Sequence, residues 1–353
     1  MSDSARPPFE LWTKFICTIG PSSFDKAVLT ALAKEGANIF RYNFSHQDYD
    51  EYRAQKKIVQ EINQELGTNV LMQADLQGPN IRVGKFPGGG VEIKAGGEYV
   101  FYTVAGQPGA STDILINDET LHLDVQPGQP ITFMDGAMEG EIIKVEGNRI
   151  TARMLNGGFL KDRKSVNVPD TILRAPAITE KDRKDLAFLM EEGVDILALS
   201  FIGARAEVDE IRSIVGDRPV KLITKVERKE AIKNIVEIIE ASDGIMIARG
   251  DLGIELPMEE IPILQRTIIS LCEHAGKPVI TATQMMLSLT NNLRPTRAEV
   301  SDVANAVFAR SDALMLSEET AAGIDPVNAL RTMRKVAGRI EEYLYHRPNY
   351  FDK

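Results

Sequence analysis

The chain has 353 residues, 43% of them hydrophobic, with 41 lysines and arginines against 51 aspartates and glutamates and a net charge of −10. That length accommodates one large domain and a smaller one, and the composition is that of a globular enzyme, not of a disordered chain. The negative balance argues against wholesale binding to nucleic acid or to an anionic membrane, so any anionic ligand must be met by a local basic cluster.

The opening MSDSARPPFELW lacks a charged region followed by an apolar run, and no later apolar stretch reaches the roughly 18 residues of a membrane span. The two cysteines, Cys17 and Cys272, lie in apolar settings inside predicted elements and read as core thiols. A cytoplasmic protein is expected.

From residue 14 onward, short apolar runs alternate with amphipathic stretches. Strands are predicted near 14–19, 37–42, 70–75, 195–200, 220–225, 243–248, 278–282 and 312–316. Helices are predicted near 24–34, 48–66, 179–191, 204–215, 229–238, 258–275, 296–308 and 326–345. Eight βα repeats close most naturally into an α/β fold of the (β/α)8 TIM-barrel type, whose catalytic groups sit at the C-terminal strand ends. In the helix at 258–275, Ile261, Leu264, Ile268 and Cys272 share one face toward the strands, with Glu259, Gln265 and Arg266 off it.

The stretch 83–168 breaks this rhythm. Glycines such as Gly88, Gly89, Gly90, Gly96 and Gly97 punctuate short runs like EYVFYTV and ITARML, which is the grammar of an all-β domain. The expected organisation is barrel at 1–82, a small all-β insert at 83–168 between the third strand and third helix, and barrel again at 169–353. Such an insert is placed to act as a lid.

The strand ends carry the chemistry. After the second strand come Arg41, Asn43 and Ser45, after the third Asp75, after the fourth Ser200 and after the fifth Lys225 and Glu227. Arg249 and Asp251 follow the sixth strand, Thr283 the seventh, and Ser317 with Glu319 the eighth. One polar residue there merely starts a loop, but seven strands of eight point to a site. Lys225 reads either as a snorkelling rim lysine or as a point charge aimed at a phosphoryl group. Glu227 and Asp251 read either as partners of Arg228 and Arg249 or as ligands of a divalent ion, which takes one or two carboxylates plus substrate oxygens. Thr283 offers a hydroxyl or a β-branched core residue. The histidines show no zinc spacing, and neither a GxGxxG nor a P-loop occurs.

At these residues the chain resembles the pyruvate kinase family. TKFICTIGPSS (13–23), NIFRYNFSH (38–46), DLQGPNIRVG (75–84), TKVER (224–228), GIMIARGDLGIELP (244–257), TATQMM (281–286), RPTRAEVSDVANAV (294–307) and ALMLSEETAAG (313–323) follow that family's blocks in order. The resemblance implies transfer of a phosphoryl group from phosphoenolpyruvate to ADP, giving pyruvate and ATP. By it, Arg41 and Lys225 hold the phosphoryl group, with Ser200 beside the substrate, and Glu227 and Asp251 carry Mg²⁺ or Mn²⁺. Gly250, Asp251 and Thr283 grip the carboxylate. Asn43, Ser45, Asp75 and Leu76 match a K⁺ site, and Arg41, His46, Arg82, Asp135 and Lys164 match nucleotide contacts. Thr283 and Ser317 fall where the proton is transferred.

Four departures accompany the resemblance. Ser165 replaces a glycine in KSVNVP (164–169), Asn80 replaces the family's Glu or Lys, Glu318 replaces a small residue, and ARSD (309–312) replaces DGxD. The family's C-terminal allosteric domain is expected to be absent, leaving self-association, as a homodimer, to barrel surfaces. Two other readings keep the same residues: a lyase or aldolase acting through a pyruvate enolate, and a non-catalytic paralogue that binds phosphoenolpyruvate or nucleotide.

Overall fold

The computed structural model describes residues 11–45, 49–103, 113–174 and 176–346. The first three strands are β1 (Lys14–Thr18), β2 (Ile39–Asn43) and β3 (Leu71–Asp75), and helices α1 (Lys26–Glu35) and α2 (Tyr49–Leu66) connect them. The later βα units comprise α4 (Glu180–Glu192), β12 (Ile196–Leu199), α5 (Arg205–Val215), β13 (Lys221–Val226), α6 (Lys229–Lys233), α7 (Ile235–Ala241) and β14 (Gly244–Ala248). They continue with α8 (Arg249–Glu255), α9 (Ile261–Ala275), β15 (Val279–Ala282), α10 (Arg297–Phe308), β16 (Ala313–Leu316), α11 (Glu318–Ala321) and α12 (Pro326–His346). Eight parallel strands close in the order β1-β16-β15-β14-β13-β12-β3-β2, as the βα rhythm predicts.

Strands buried on both faces read as continuous apolar runs, and β12 (ILAL) and β16 (ALML) are buried throughout. Ile16, Ile196, Ala198, Ile223, Met246, Ile280, Ala282, Ala313 and Met315 fill the barrel interior, with Ile39 and Leu71 packed against them. Side chains alternate faces with period two. Counting from these anchors, Thr18, Arg41, Gln73, Asp75, Ser200 and Lys225 share the interior face at or near the C-terminal strand ends. Interstrand register aligns them: Thr18 pairs with Arg41, Asn43 with Asp75, and Asp75 with Ala198.

Helix ends follow local rules. Asp25 caps α1 by accepting from the Ala27 amide, and Gly36 ends it at φ 109, a conformation that costs any side chain a clash. Thr296 and Glu299 form a capping box on α10, and Glu299 also accepts from the Ser288 amide and hydroxyl. Glu341 of α12 is fully buried and accepts from the amides of Trp12 and Thr13, tying the last helix to the entry of β1.

Two helices differ from expectation. The predicted helix 229–238 is broken at Asn234 into α6 and α7: the Asn234 backbone leaves helical geometry, and its side-chain Nδ2 donates to the Gly203 carbonyl at 2.7 Å. In α9, Gln265 is buried although its polarity assigned it outward, while Leu264 is only half-buried. Gln265 Oε1 lies 3.3 Å from Nη1 of the half-buried Arg249.

The inserted segment contributes β4 (Gly90–Ile93), β5 (Glu98–Tyr102), β6 (Ile114–Leu115), β7 (Pro130–Phe133), β8 (Met138–Glu146), β9 (Arg149–Met154), β10 (Gly158–Lys161) and β11 (Val166–Asn167). These form a six-stranded sheet, β11-β7-β8-β9-β5-β6, and a two-stranded one, β10-β4. Phe101 and Phe133, stacked at 4.9 Å, anchor a core of Ile131, Ile142, Ile150 and Met154. One short helix, α3 (Leu121–Asp124), is added to the all-β expectation, its first turn held by Asp118. The chain divides into two compact units: one holds the barrel, and the other comprises Gly78–Glu180 with Gly250–Glu260.

Candidate active site

At the C-terminal end of the barrel interior, Arg41, Asp75, Lys225 and Glu227 form one buried ionic array, exposed by 8%, 1%, 9% and 2%. Arg41 approaches Asp75 Oδ2 through Nε at 2.9 Å and Nη2 at 2.8 Å. Its Nη1 donates to Thr18 Oγ1 at 3.1 Å, which in turn donates to the Leu316 carbonyl. Lys225 Nζ lies 2.6 Å from Glu227 Oε1 and 3.7 Å from Asp75 Oδ2, and donates to Ser200 Oγ at 2.8 Å. Glu227 Oε2 accepts from the Phe201 amide at 2.7 Å. The network thus runs from β16 through β1, β2, β3 and β12 to β13.

Burying four charges is tolerable only when they are paired and hydrogen-bonded. Here two cations match two carboxylates. Burial pushes the Asp75 carboxyl up, but the Arg41 and Lys225 charges overcome it and hold Asp75 below the usual carboxylate range. Gln73 Nε2 fixes the other Asp75 oxygen at 2.7 Å. Buried ion arrays contribute little net stability compared with apolar packing, so their presence at a strand-end rim favours a functional reason.

The end of β2 adjoins this array. The Ser45 amide donates to Asn43 Oδ1, the Phe44 amide donates to the Asp75 carbonyl, and Lys181 donates to the Phe44 carbonyl while pairing with Asp185. Asn43 and Asp75 are thus neighbours in strand register, with Ser45 bonded to the one and Leu76 next to the other in the chain. The Leu76 side chain is apolar, so only its carbonyl can serve a cation. His46 lies outside the described residues.

Across the barrel, Thr283 (φ 67) and Gln284 (φ 54) follow β15 in left-handed conformation. Arg249 reaches the carbonyls of both Ala282 and Thr283, and also Gln265 and Asp302. Sequence reading offered Arg249 only as an ion-pair partner for Glu227 or Asp251, whereas here it pairs with Asp302 at 2.7 Å. Ser317, half-buried, caps α11 and donates its amide to Glu319 Oε2 at 2.7 Å, while Glu319 Oε1 accepts from Met286. Burial pushes the Glu319 carboxyl above its usual range.

Within the second unit, Arg82 forms an isolated backbone β-bridge with Ser165, and its guanidinium donates to the Arg163 carbonyl at 2.9 Å. The Ser165 hydroxyl donates to Asp135 Oδ1 at 2.6 Å and accepts from the Asp135 amide. Lys164 precedes it and is exposed. Gly250 and Asp251 lie in the first turn of α8.

The family model described as the pyruvate kinase barrel domain matches residues 11–330. The chain belongs to the pyruvate kinase family. It is 42% identical over 335 residues to pyruvate kinase of Clostridium perfringens, covering 94% of this chain and 71% of that protein. To pyruvate kinase of Bacillus licheniformis it is 43% identical, covering 95% of this chain and 58% of that one. The crystal structure of a pyruvate kinase from Cryptosporidium parvum superposes with a TM-score of 0.89 at 37% identity, covering 95% of this chain and 71% of that one. Among the described residues no helix is long and apolar enough to cross a membrane.

Proposed function

We propose that this chain transfers a phosphoryl group from phosphoenolpyruvate to ADP, releasing pyruvate and ATP. The observation that carries this reading is the buried Arg41–Asp75–Lys225–Glu227 array on the strand-end rim of a pyruvate kinase family barrel. In such a transfer the protein contributes positioning and charge neutralisation, since charge spreads over the phosphoryl oxygens and the leaving oxygen. Arg41 and Lys225 supply fixed cations. Thr18, Asp75 and Ser200 hold them oriented before substrate arrives, so little reorganisation remains for the reaction itself.

Glu227 and Asp251 are the carboxylates proposed to hold Mg²⁺ or Mn²⁺. Glu227 fits a hard cation: it is buried, oriented by one amide and one ammonium, and a carboxylate offers about four acceptor sites. The bound ion would supply Lewis-acid neutralisation of substrate oxygens. Thr283, with Gly250 and Asp251, is proposed to bind the substrate carboxylate, and Thr283 and Ser317 are the hydroxyls proposed to pass a proton to the enolate. Arg82, Asp135 and Lys164 are proposed to meet the nucleotide.

The direct test is pyruvate formation from phosphoenolpyruvate with Mg²⁺, with and without ADP. ADP-dependent pyruvate release is expected. Pyruvate enolate chemistry without ADP, or substrate binding without turnover, would replace this reading by a lyase or a binding protein. A second measurement addresses the monovalent cation proposed at Asn43, Ser45, Asp75 and Leu76. Turnover should be faster in potassium than in tetramethylammonium chloride at equal ionic strength, and equal rates would remove the cation from the site.

A further inference from the structure

Arg249 spends its guanidinium on the turn that follows the next strand. Nε donates to the Ala282 carbonyl at 3.2 Å and Nη2 to the Thr283 carbonyl at 2.7 Å, while Nη1 reaches Asp302 of α10 at 2.7 Å and Gln265 of α9 at 3.3 Å. That turn is strained. Thr283 and Gln284 are consecutive non-glycine residues in the left-handed region, and Thr283 is β-branched, which crowds its Cβ against the backbone. Such a backbone persists only where its surroundings over-determine it. A lysine has one nitrogen and cannot span two carbonyls and two side chains as the planar fork does.

The Thr283 hydroxyl donates to the Ala282 carbonyl at 2.7 Å, the same oxygen that Arg249 Nε reaches. Ala282 is fully buried, and an unpaired carbonyl there is costly. Because Arg249 satisfies that oxygen independently, the hydroxyl can leave it for a ligand without orphaning it.

We propose that Arg249 is a positioning residue, a clamp that holds the Thr283–Gln284 turn in its left-handed form and releases the Thr283 hydroxyl to the substrate carboxylate. The substrate in this statement rests on the proposed phosphoenolpyruvate chemistry; the clamp does not.

Four variants test it: Arg249→Lys, Thr283→Ala, and Arg249→Lys combined with either Thr283→Ala or Gln284→Gly. In Arg249→Lys, kcat/KM for phosphoenolpyruvate should fall about a hundredfold, as for other displaced catalytic groups, with the KM for ADP unchanged. Amide exchange at residues 283–285 should accelerate without substrate. Gln284→Gly should restore much of the loss, since glycine takes a left-handed φ without a Cβ clash. In the Thr283→Ala background, Arg249→Lys should add nothing, because it acts through Thr283. Multiplying losses, no rescue by Gln284→Gly, or unchanged exchange would each overturn the clamp. An inactive wild type would instead overturn the phosphotransfer reading and the catalytic use of the clamp, and exchange would still show whether Arg249 holds the turn. Should Arg249→Lys fail to fold, Asp302→Asn, which loosens only the far arm, is read in the same way.

Discussion

Replacing Lys225 by methionine is expected to slow phosphoryl transfer roughly a hundredfold or more, the loss typical of removing a fixed charge from a dry site. Methionine fills the stem but supplies no donor. Its effect on folding is set by the same contacts: Glu227 Oε1 loses its 2.6 Å partner, and Asp75 loses one of two cations. Breaking a buried pair from one side costs about 3–5 kcal/mol, so the thermal midpoint should fall alongside the rate. The sign of the pH effect follows. Asp75 has a lowered folded pKa, so it contributes stability above its unfolded value that is lost as pH falls through the folded one. Removing Lys225 raises that folded pKa, and acid unfolding should begin at a higher pH. Lys225→Arg keeps a charge and should recover stability more than turnover, which separates the two roles. A Lys225→Met protein with wild-type turnover and wild-type acid stability would sink both the catalytic and the electrostatic assignment.

What the sequence made legible, and what it did not, divides along one physical line. Strands buried on both sides must be apolar throughout, so GIMIA, ILAL and ALML announce themselves, and Lys225 stands out as a charge near the end of a largely apolar run; with Ile223 inside the barrel, the period-two count carries Lys225 to the interior rim. Lys225, Glu227 and Asp75 were thus visible as rim residues, and the structure adds that they meet in one array with Arg41. Features that depend on bonds between distant side chains and backbone were hidden. Asn234 interrupts a helix, and its side chain donates to the carbonyl of Gly203 on another βα unit. Gln265 is buried with its oxygen 3.3 Å from Arg249 Nη1, although amphipathic counting places an amide outward. The left-handed turn at Thr283 and Gln284 was unreadable for a related reason. Glycine ordinarily signals that conformation, and here a guanidinium holds two residues that disfavour it. The one signal that pointed there was Arg249 itself, a cation after a strand of buried residues.

The metal assignment makes the second large prediction. Glu227→Gln keeps shape but removes charge, and the geometry leaves the amide no good orientation. With its oxygen on the Phe201 amide, its NH₂ faces Lys225 Nζ, donor against donor at a spacing that was 2.6 Å; turned over, it loses the Phe201 bond. One buried hydrogen bond is lost either way, at about 1–3 kcal/mol. That penalty is common to the structural and metal-binding readings of Glu227, so stability cannot choose between them. Metal dependence can. If Glu227 is a ligand, the Mg²⁺ concentration giving half activation should rise about tenfold or more, each tenfold corresponding to roughly 1.4 kcal/mol of lost binding, and Mn²⁺ binding measured without substrate should weaken in parallel. Asp251→Asn should shift both in the same direction. Glu227→Asp, which keeps the charge on a shorter arm, should lie between glutamine and wild type for metal binding, because charge is the larger part of a hard cation's preference for carboxylate. Glu227→Gln with an unshifted activation midpoint and unaltered Mn²⁺ binding would leave this carboxylate as the counter-ion of Lys225 alone.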